Sequence, residues 1–345
     1  MGGMKMAGKM DEEIDLGLAE ELGVEYEPYK MSDDEVIEAL RQINKEVPWE
    51  VPVSKELLPY LRPTILCEAH HPEIREEALR IVEGAETSID AAMMIFYYMI
   101  SRIKYAMEPP KTSPDALRTR KGNCFTKAGL QIALLRSVGI PGRYSFDKTL
   151  LKVIKIVVPR EIFEKMPGKF TIHQSADAYH IERRKWIQCD TTFDEGLMPF
   201  PYNWNGKTDL LLLCPWWRLG HVGKSPYFPV NELLGRFKQR GFTKDFCARE
   251  IDPFTEHLRT LSIQELCKHY KRTLGRRDAD SFAHILYFHF VGHFRDVHYN
   301  PLFRYDTNLE DLSDLQESGL RIFEPKYSVE KFEEWSVSGI PFEVE

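Results

Sequence analysis

The chain has no surplus of positive charge: Lys and Arg number 46 against 53 Asp and Glu, a formal net charge of −7. Nucleic-acid and anionic-membrane binders need a basic face, so this deficit argues against both. Short clusters such as Arg183-Arg184-Lys185 read as solvated turns. There is no C-x-x-C pair either. The six cysteines (Cys67, Cys124, Cys189, Cys214, Cys247, Cys267) lie far apart, which excludes a zinc ribbon and points to reduced thiols rather than a disulfide framework. The first residues lack the apolar run of a signal peptide, and Met6 stands where a myristoylation signal wants Ser or Thr. The longest apolar run, Ala91 to Ile100, is too short to span a bilayer and sits between Asp90 and Arg102. No P-loop, dinucleotide fingerprint, internal repeat or low-complexity tract occurs, so no cofactor is expected. The expectation is a soluble, cytoplasmic protein with no membrane and no nucleic-acid partner.

What is present organises into three stretches. Residues 1–60 read as an acidic extension with one helix. Ser32 and Glu35 form a capping box, and the apolar positions Val36, Ile37, Leu40 and Ile43 follow before Pro48 stops the helix. Residues 61–229 read as the central unit. Pro72 opens a helix that Gly84 ends, and a second, apolar nearly all round, runs from Ser88 to about Tyr105. A short helix starts at Ser113-Pro114 and is broken by Gly122-Asn123. A dense apolar helix then runs from Cys124 to Gly139, and a strand begins near Arg143-Tyr144. Strands are expected over Ile172 to His180 and Lys185 to Asp190, with Leu210 to Leu213 as a further buried strand. Residues 230–345 read as mostly helical, a candidate cap over the site.

The chemistry concentrates at Cys124. A thiol is mostly protonated at neutral pH, and a helix N-terminus favours its thiolate. Gly122, Asn123 and Cys124 supply a flexible residue, a cap-competent side chain and a thiol at the first turn of a buried helix, where backbone N–H groups can also hold an oxyanion. A thiolate nucleophile needs an imidazole in reach and a group to orient it. His173 and Asp190, facing each other across a hairpin turned at Ile181 to Arg184, meet that need. His180 is the competing imidazole, but its parity along the strand is opposite, so only one of the two can face the Cys124 helix. Asp190 opposite His173 puts Trp186 opposite Asp177. Ser175, Asp177 and Tyr179 share the parity of His173 and are weak substrate-binding candidates.

These segments resemble the transglutaminase-like superfamily. RKGNCFTKAGLQIALLRSVGIPGRY is similar to its G-x-C motif with a Leu-rich helix ending in G-I-P-x-R. HPEIREEALRIVEGAETSIDAAMMIFYYMISRIKY resembles the paired helices that lead into it. HQSADAY and KWIQCDTTFD resemble the His strand and the W-x-x-x-D-x-T strand. The resemblance covers roughly residues 71–194. It implies an α+β fold: a papain-like core with the Cys124 helix packed on a small antiparallel sheet, followed by the helical C-terminal extension. It implies Cys124 as nucleophile, His173 as base and Asp190 as orienting acid, with Trp186 and Thr192 framing the acid. Thr126, Ser175 and Thr191 depart from the residues common at their positions, which leaves substrate preference open.

The expected activity is acyl transfer through a Cys124 thioester, on a peptide, amide or acyl-thioester substrate that a carrier protein could present. A hydrolase of amide bonds, an amide-forming acyltransferase and a non-catalytic interaction module retaining the fold stand as alternatives. Trp216 and Trp217 are either pocket walls or core. His289 and His293 have the i, i+4 spacing of zinc ligands but lack the intervening Glu and a third ligand, so no metal is expected.

Overall fold

The computed structural model describes residues 31–198, 204–212, 217–228 and 240–275. Helices begin where the sequence supplies a side-chain acceptor to cap them. Ser32 and Glu35 close a capping box on α1 (Asp33–Ile43). His71 caps α2 (Pro72–Ile81), Thr87 and Asp90 cap α3 (Ser88–Arg102), and Thr112 caps α4 (Ser113–Thr119). Asn123 caps α5 (Cys124–Ser137). Every residue of α5 after Cys124 is buried, as a central helix requires. Gly139, at φ +77°, ends its run against Val51, whose Cγ2 would lie 2.5 Å from any Cβ there.

The helix expected to reach Tyr105 stops three residues earlier. Lys104–Tyr105 instead form β1, paired parallel with β2 (Lys121–Gly122), directly before the Cys124 helix. Continuing α3 would bury the N–H and C=O of Tyr105 in helical bonds. The chain gives them instead to Asp194 and Arg259, which lie far downstream.

The main sheet has the order β5-β4-β3-β6, antiparallel throughout, from β3 (Gly142–Leu150), β4 (Phe170–His180), β5 (Lys185–Gln188) and β6 (Arg218–Ser225). α5 packs on this sheet so closely that a Cβ on Gly142 would lie 3.1 Å from Ile132 Cγ2. The α+β architecture, with the cysteine-bearing helix against a small antiparallel sheet, is the expected one. Two details differ. β6, absent from the sequence-based reading, forms the far edge. The β4–β5 register sets Trp186 opposite Tyr179 and Gln188 opposite Asp177, two residues from the expected pairing. The turn at 181–184 stands. β5 ends before Asp190, whose N–H leaves the sheet to bond the Leu210 carbonyl. Leu210 makes an isolated bridge to Cys189 rather than starting a regular strand.

The flanking stretches bury their residues in the same apolar cluster as the central unit. α1 contributes Val36, Leu40 and Ile43, and Trp49 donates its indole N–H to the Val138 carbonyl at 3.1 Å. A single helical turn, α6 (Arg160–Phe163), follows β3. The described part of the C-terminal stretch is helical: α7 (Lys244–Glu250), α8 (Asp252–Thr260) and α9 (Ile263–Leu274). Among the described residues no helix is long and apolar enough to cross a membrane.

Candidate active site

Cys124 sits at the first position of α5. The Asn123 side chain accepts from Thr126 N–H at 3.0 Å and donates to the Glu108 carbonyl at 2.6 Å, so both halves of its amide serve the helix start. Gly122 is needed on steric grounds: a Cβ there would approach Thr126 Cγ2 to 2.4 Å.

His173 lies on β4 with its Nε2 2.7 Å from Asp190 Oδ2, and it lines the same cleft as Cys124. With Nε2 engaged by the carboxylate, Nδ1 is the nitrogen left for sulfur. Burial by itself would lower the imidazole pKa. The charge and hydrogen bond of Asp190, followed by Cys124, outweigh it and push the value up to about 10. Asp190 is fully buried, which would raise its pKa, yet the His173 charge and four hydrogen bonds hold it below the usual carboxylate range. Besides His173, its Oδ2 accepts from Leu212 N–H at 2.9 Å, and its Oδ1 accepts from Thr192 N–H at 2.9 Å and Thr192 Oγ1 at 2.6 Å. A carboxylate with both oxygens occupied in this way is held in place and cannot swing from the imidazole.

His180 lies elsewhere, with Nδ1 3.0 Å from Glu182 Oε2 on the hairpin turn. The other sequence-derived candidates divide. Gly122, Asn123 and Thr192 belong to the site as described. Ser175 instead accepts from Gln188 Nε2 at 2.8 Å, and Asp177 pairs with Arg143 at 2.9 Å and Lys224 at 2.7 Å. Tyr179 packs its ring on Trp186, which the Arg143 guanidinium covers from 4.1 Å. Neither these residues nor Trp217, fully buried behind Lys152, line the cleft at Cys124. Parity misleads here because Thr171, Ile172 and His173, three consecutive residues, all line the cleft. The site thus wraps the start of β4 rather than lying on one sheet face. Trp216, His289 and His293 fall outside the described residues. Among the described residues no cluster of His, Cys, Asp and Glu could hold a metal ion.

Sequence reasoning missed most of the cleft wall. Tyr105, Met107, Val153, Ile154, Val157, Phe193 and Leu212 make it largely apolar, and Arg240 and Phe242 reach it from beyond β6. Phe193 could have been found from its place beside the Asp190–Thr192 motif. Arg240 and Phe242 carry no local signal. Two basic side chains, one half-buried and one buried, support this wall. Arg259 on α8 forks onto Asp194 at 3.0 and 2.6 Å, and Lys127, three residues after Cys124, donates to the Ile103 carbonyl at 2.6 Å. Burial pulls the Lys127 ammonium down to about 7.

The family model of the transglutaminase-like superfamily matches residues 75–191. No curated protein matches the sequence. Among solved structures, the chain is similar to the "Putative Cysteine Protease" from Cytophaga hutchinsonii at 18% identity, with a TM-score of 0.38 and 55% of each chain covered. It is also similar to red sea bream transglutaminase, at 14% identity and a TM-score of 0.25, over 41% of this chain and 27% of that one. The chain therefore spans about half the length of the first and about a quarter of the second. The residues that match the transglutaminase-like superfamily model include Cys124, His173 and Asp190.

Proposed function

We propose that the protein is a cysteine enzyme that transfers acyl groups through a Cys124 thioester, with His173 as base and acid and Asp190 as its orienting carboxylate. The observation that carries this reading is the meeting of Cys124 and His173 in one apolar cleft, with His173 bonded to the buried Asp190 carboxylate.

His173, with its pKa raised to about 10, holds the proton of the thiol–imidazole pair as imidazolium, and the thiolate attacks the carbonyl carbon of an amide or thioester. The C–S bond forms as the carbonyl electron pair moves to oxygen, and the Cys124 N–H is placed to hold that charge. The pair then returns, the bond to the leaving group breaks, and the imidazolium gives the leaving group its proton. Water completes a hydrolysis; an amine completes an amide-forming transfer. The superfamily commonly supplies both cysteine proteases and acyltransferases. The apolar wall suits the acyl portion or side chain of a peptide or carrier-borne donor in a cytoplasmic setting.

Intact-mass spectrometry tests this with a glutamine-containing peptide, a peptide ester and an acyl-coenzyme A as donors. The expected result is an acyl mass gain confined to Cys124 and absent in Cys124→Ser. Adding a primary amine then distinguishes transfer from hydrolysis by its product. No mass gain with any donor, or a gain on another cysteine, would overturn the reading.

A further inference from the structure

Tyr105 is 4% exposed, its ring lines the cleft beside Cys124, and its hydroxyl makes no hydrogen bond within the described chain. The Tyr144 hydroxyl is sealed in the core without a partner, whereas that of Tyr105 is not sealed, so its donor is available to a molecule in the cleft. Meanwhile the backbone around it is pinned with uncommon thoroughness. Asp194 Oδ2 accepts from Tyr105 N–H at 2.7 Å, and Arg259 Nη2 donates to the Tyr105 carbonyl at 2.7 Å. Lys127 Nζ holds the Ile103 carbonyl at 2.6 Å, and the parallel bridge to Gly122 ties Tyr105 to the segment entering the Cys124 helix. Asp194 and Arg259 thus fix the Tyr105 end of a two-residue strand, and Lys127 fixes the residue that enters it. A rigid backbone with an unengaged donor at its tip is what preorganised stabilisation of a developing charge requires.

Building on the acyl-transfer reading above, we propose that Tyr105 is a further catalytic residue, whose hydroxyl donates to the carbonyl oxygen of the substrate as Cys124 attacks. With the Cys124 N–H it makes a two-donor oxyanion site. Burial, followed by the charges of Cys124 and Cys247, pushes its phenol well above the ordinary range, so the hydroxyl keeps its proton throughout the working pH.

The test compares wild type with Tyr105→Phe, which removes only the oxygen. 4-Nitrophenyl acetate serves as acyl donor; attack of the thiolate expels nitrophenolate and leaves an acetyl group on Cys124. Iodoacetamide serves as control, because displacement of its iodide by sulfur puts no charge on a carbonyl oxygen. Acylation of Tyr105→Phe should fall about 10²-fold, the usual cost of one oxyanion donor. Its alkylation rate should match wild type, and its unfolding midpoint should be unchanged or higher. Equal acylation rates would overturn the role of Tyr105 alone. Acylation and alkylation slowed together would show that Tyr105 acts on the thiolate, and a sharply lowered midpoint would show that the hydroxyl has a structural partner; either overturns the proposal. A wild type that Cys124 acylation never marks would remove the acyl-transfer reading itself.

Discussion

Reactivity at single residues follows from where each thiol and imidazole is placed. Cys124 is partly accessible at a helix start beside an imidazole, whereas Cys67, Cys189 and Cys247 are buried, and burial pushes all three thiols up, Cys67 to about 11 and Cys247 to about 12. Limiting iodoacetamide at neutral pH, mapped by peptide mass, should therefore label Cys124 ahead of these three; earlier labelling of Cys67 or Cys247 would contradict the assignment. His173→Ala should slow acylation by about 10²–10⁴-fold, while His180→Ala, which loses only a contact to Glu182, should leave it near wild type. The pair with Asp190 also has a pH signature. The His173 pKa is raised from 6.5 to about 10, so its contribution to stability is complete below 6.5 and lost as pH rises through about 10. Asp190 is lowered from 3.8, so its share is present above 3.8 and lost as pH falls through the lowered value. Asp190→Asn should thus cost about 1.5–3 kcal/mol between roughly pH 4 and 6.5, with the gap to wild type shrinking toward pH 10. Urea midpoints measured across that range check it, and a gap that widens with pH would show the sign to be wrong.

At the scale of elements, the start of α5 decides the geometry of the site. Asn123→Ala removes the cap on Thr126 N–H and the tie to the Glu108 carbonyl together, and should cost about 1–2 kcal/mol. It should also lower Cys124 alkylation, since the helix end that faces the thiol frays. Unchanged alkylation alongside a lowered midpoint would separate the cap from the site. This element was legible in the sequence because its signals are local: Gly122-Asn123 breaks one helix, caps the next and sets Cys124 at its first turn. The hairpin turn at 181–184 was legible for the same reason, as three charged residues, Glu182, Arg183 and Arg184, between apolar-rich strands. The register was not, because β5 gives up its pairing before Asp190 in favour of Leu210, a partner no local pattern reveals. The strand at Tyr105 was hidden likewise. Its apolar neighbours continue the α3 pattern, and only the distant Asp194 and Arg259 make an extended backbone the better choice.

Across the whole molecule, the site depends on chain well outside the matched core. Arg240 and Phe242 close the cleft, and Arg259 on α8 anchors its wall, so a boundary drawn near residue 230 separates groups that work together. That dependence makes a definite prediction for Arg259. Its side chain is 9% exposed and that of Asp194 is 7% exposed, and the pair forms a two-pronged contact that also holds the Tyr105 carbonyl. Burial would raise the Asp194 pKa, but the Arg259 hydrogen bond outweighs it and keeps the carboxyl ionised below its usual range. Removing the guanidinium therefore strands a buried charge, at a cost of about 3–5 kcal/mol for Arg259→Ala. Arg259→Lys keeps the charge but cannot fork onto both carboxylate oxygens and the carbonyl, so it should recover only part of that loss. The expected pattern in hydrogen exchange is faster exchange in α8 and at Tyr105, with the amides of α1 unaffected. Acylation of Cys124 should slow in step with exchange at Tyr105, more in the Ala variant than in the Lys variant. If Arg259→Ala instead unfolds at the wild-type midpoint with α8 still protected, the ion pair contributes nothing to docking, and the C-terminal helices are held to the core by their apolar faces alone.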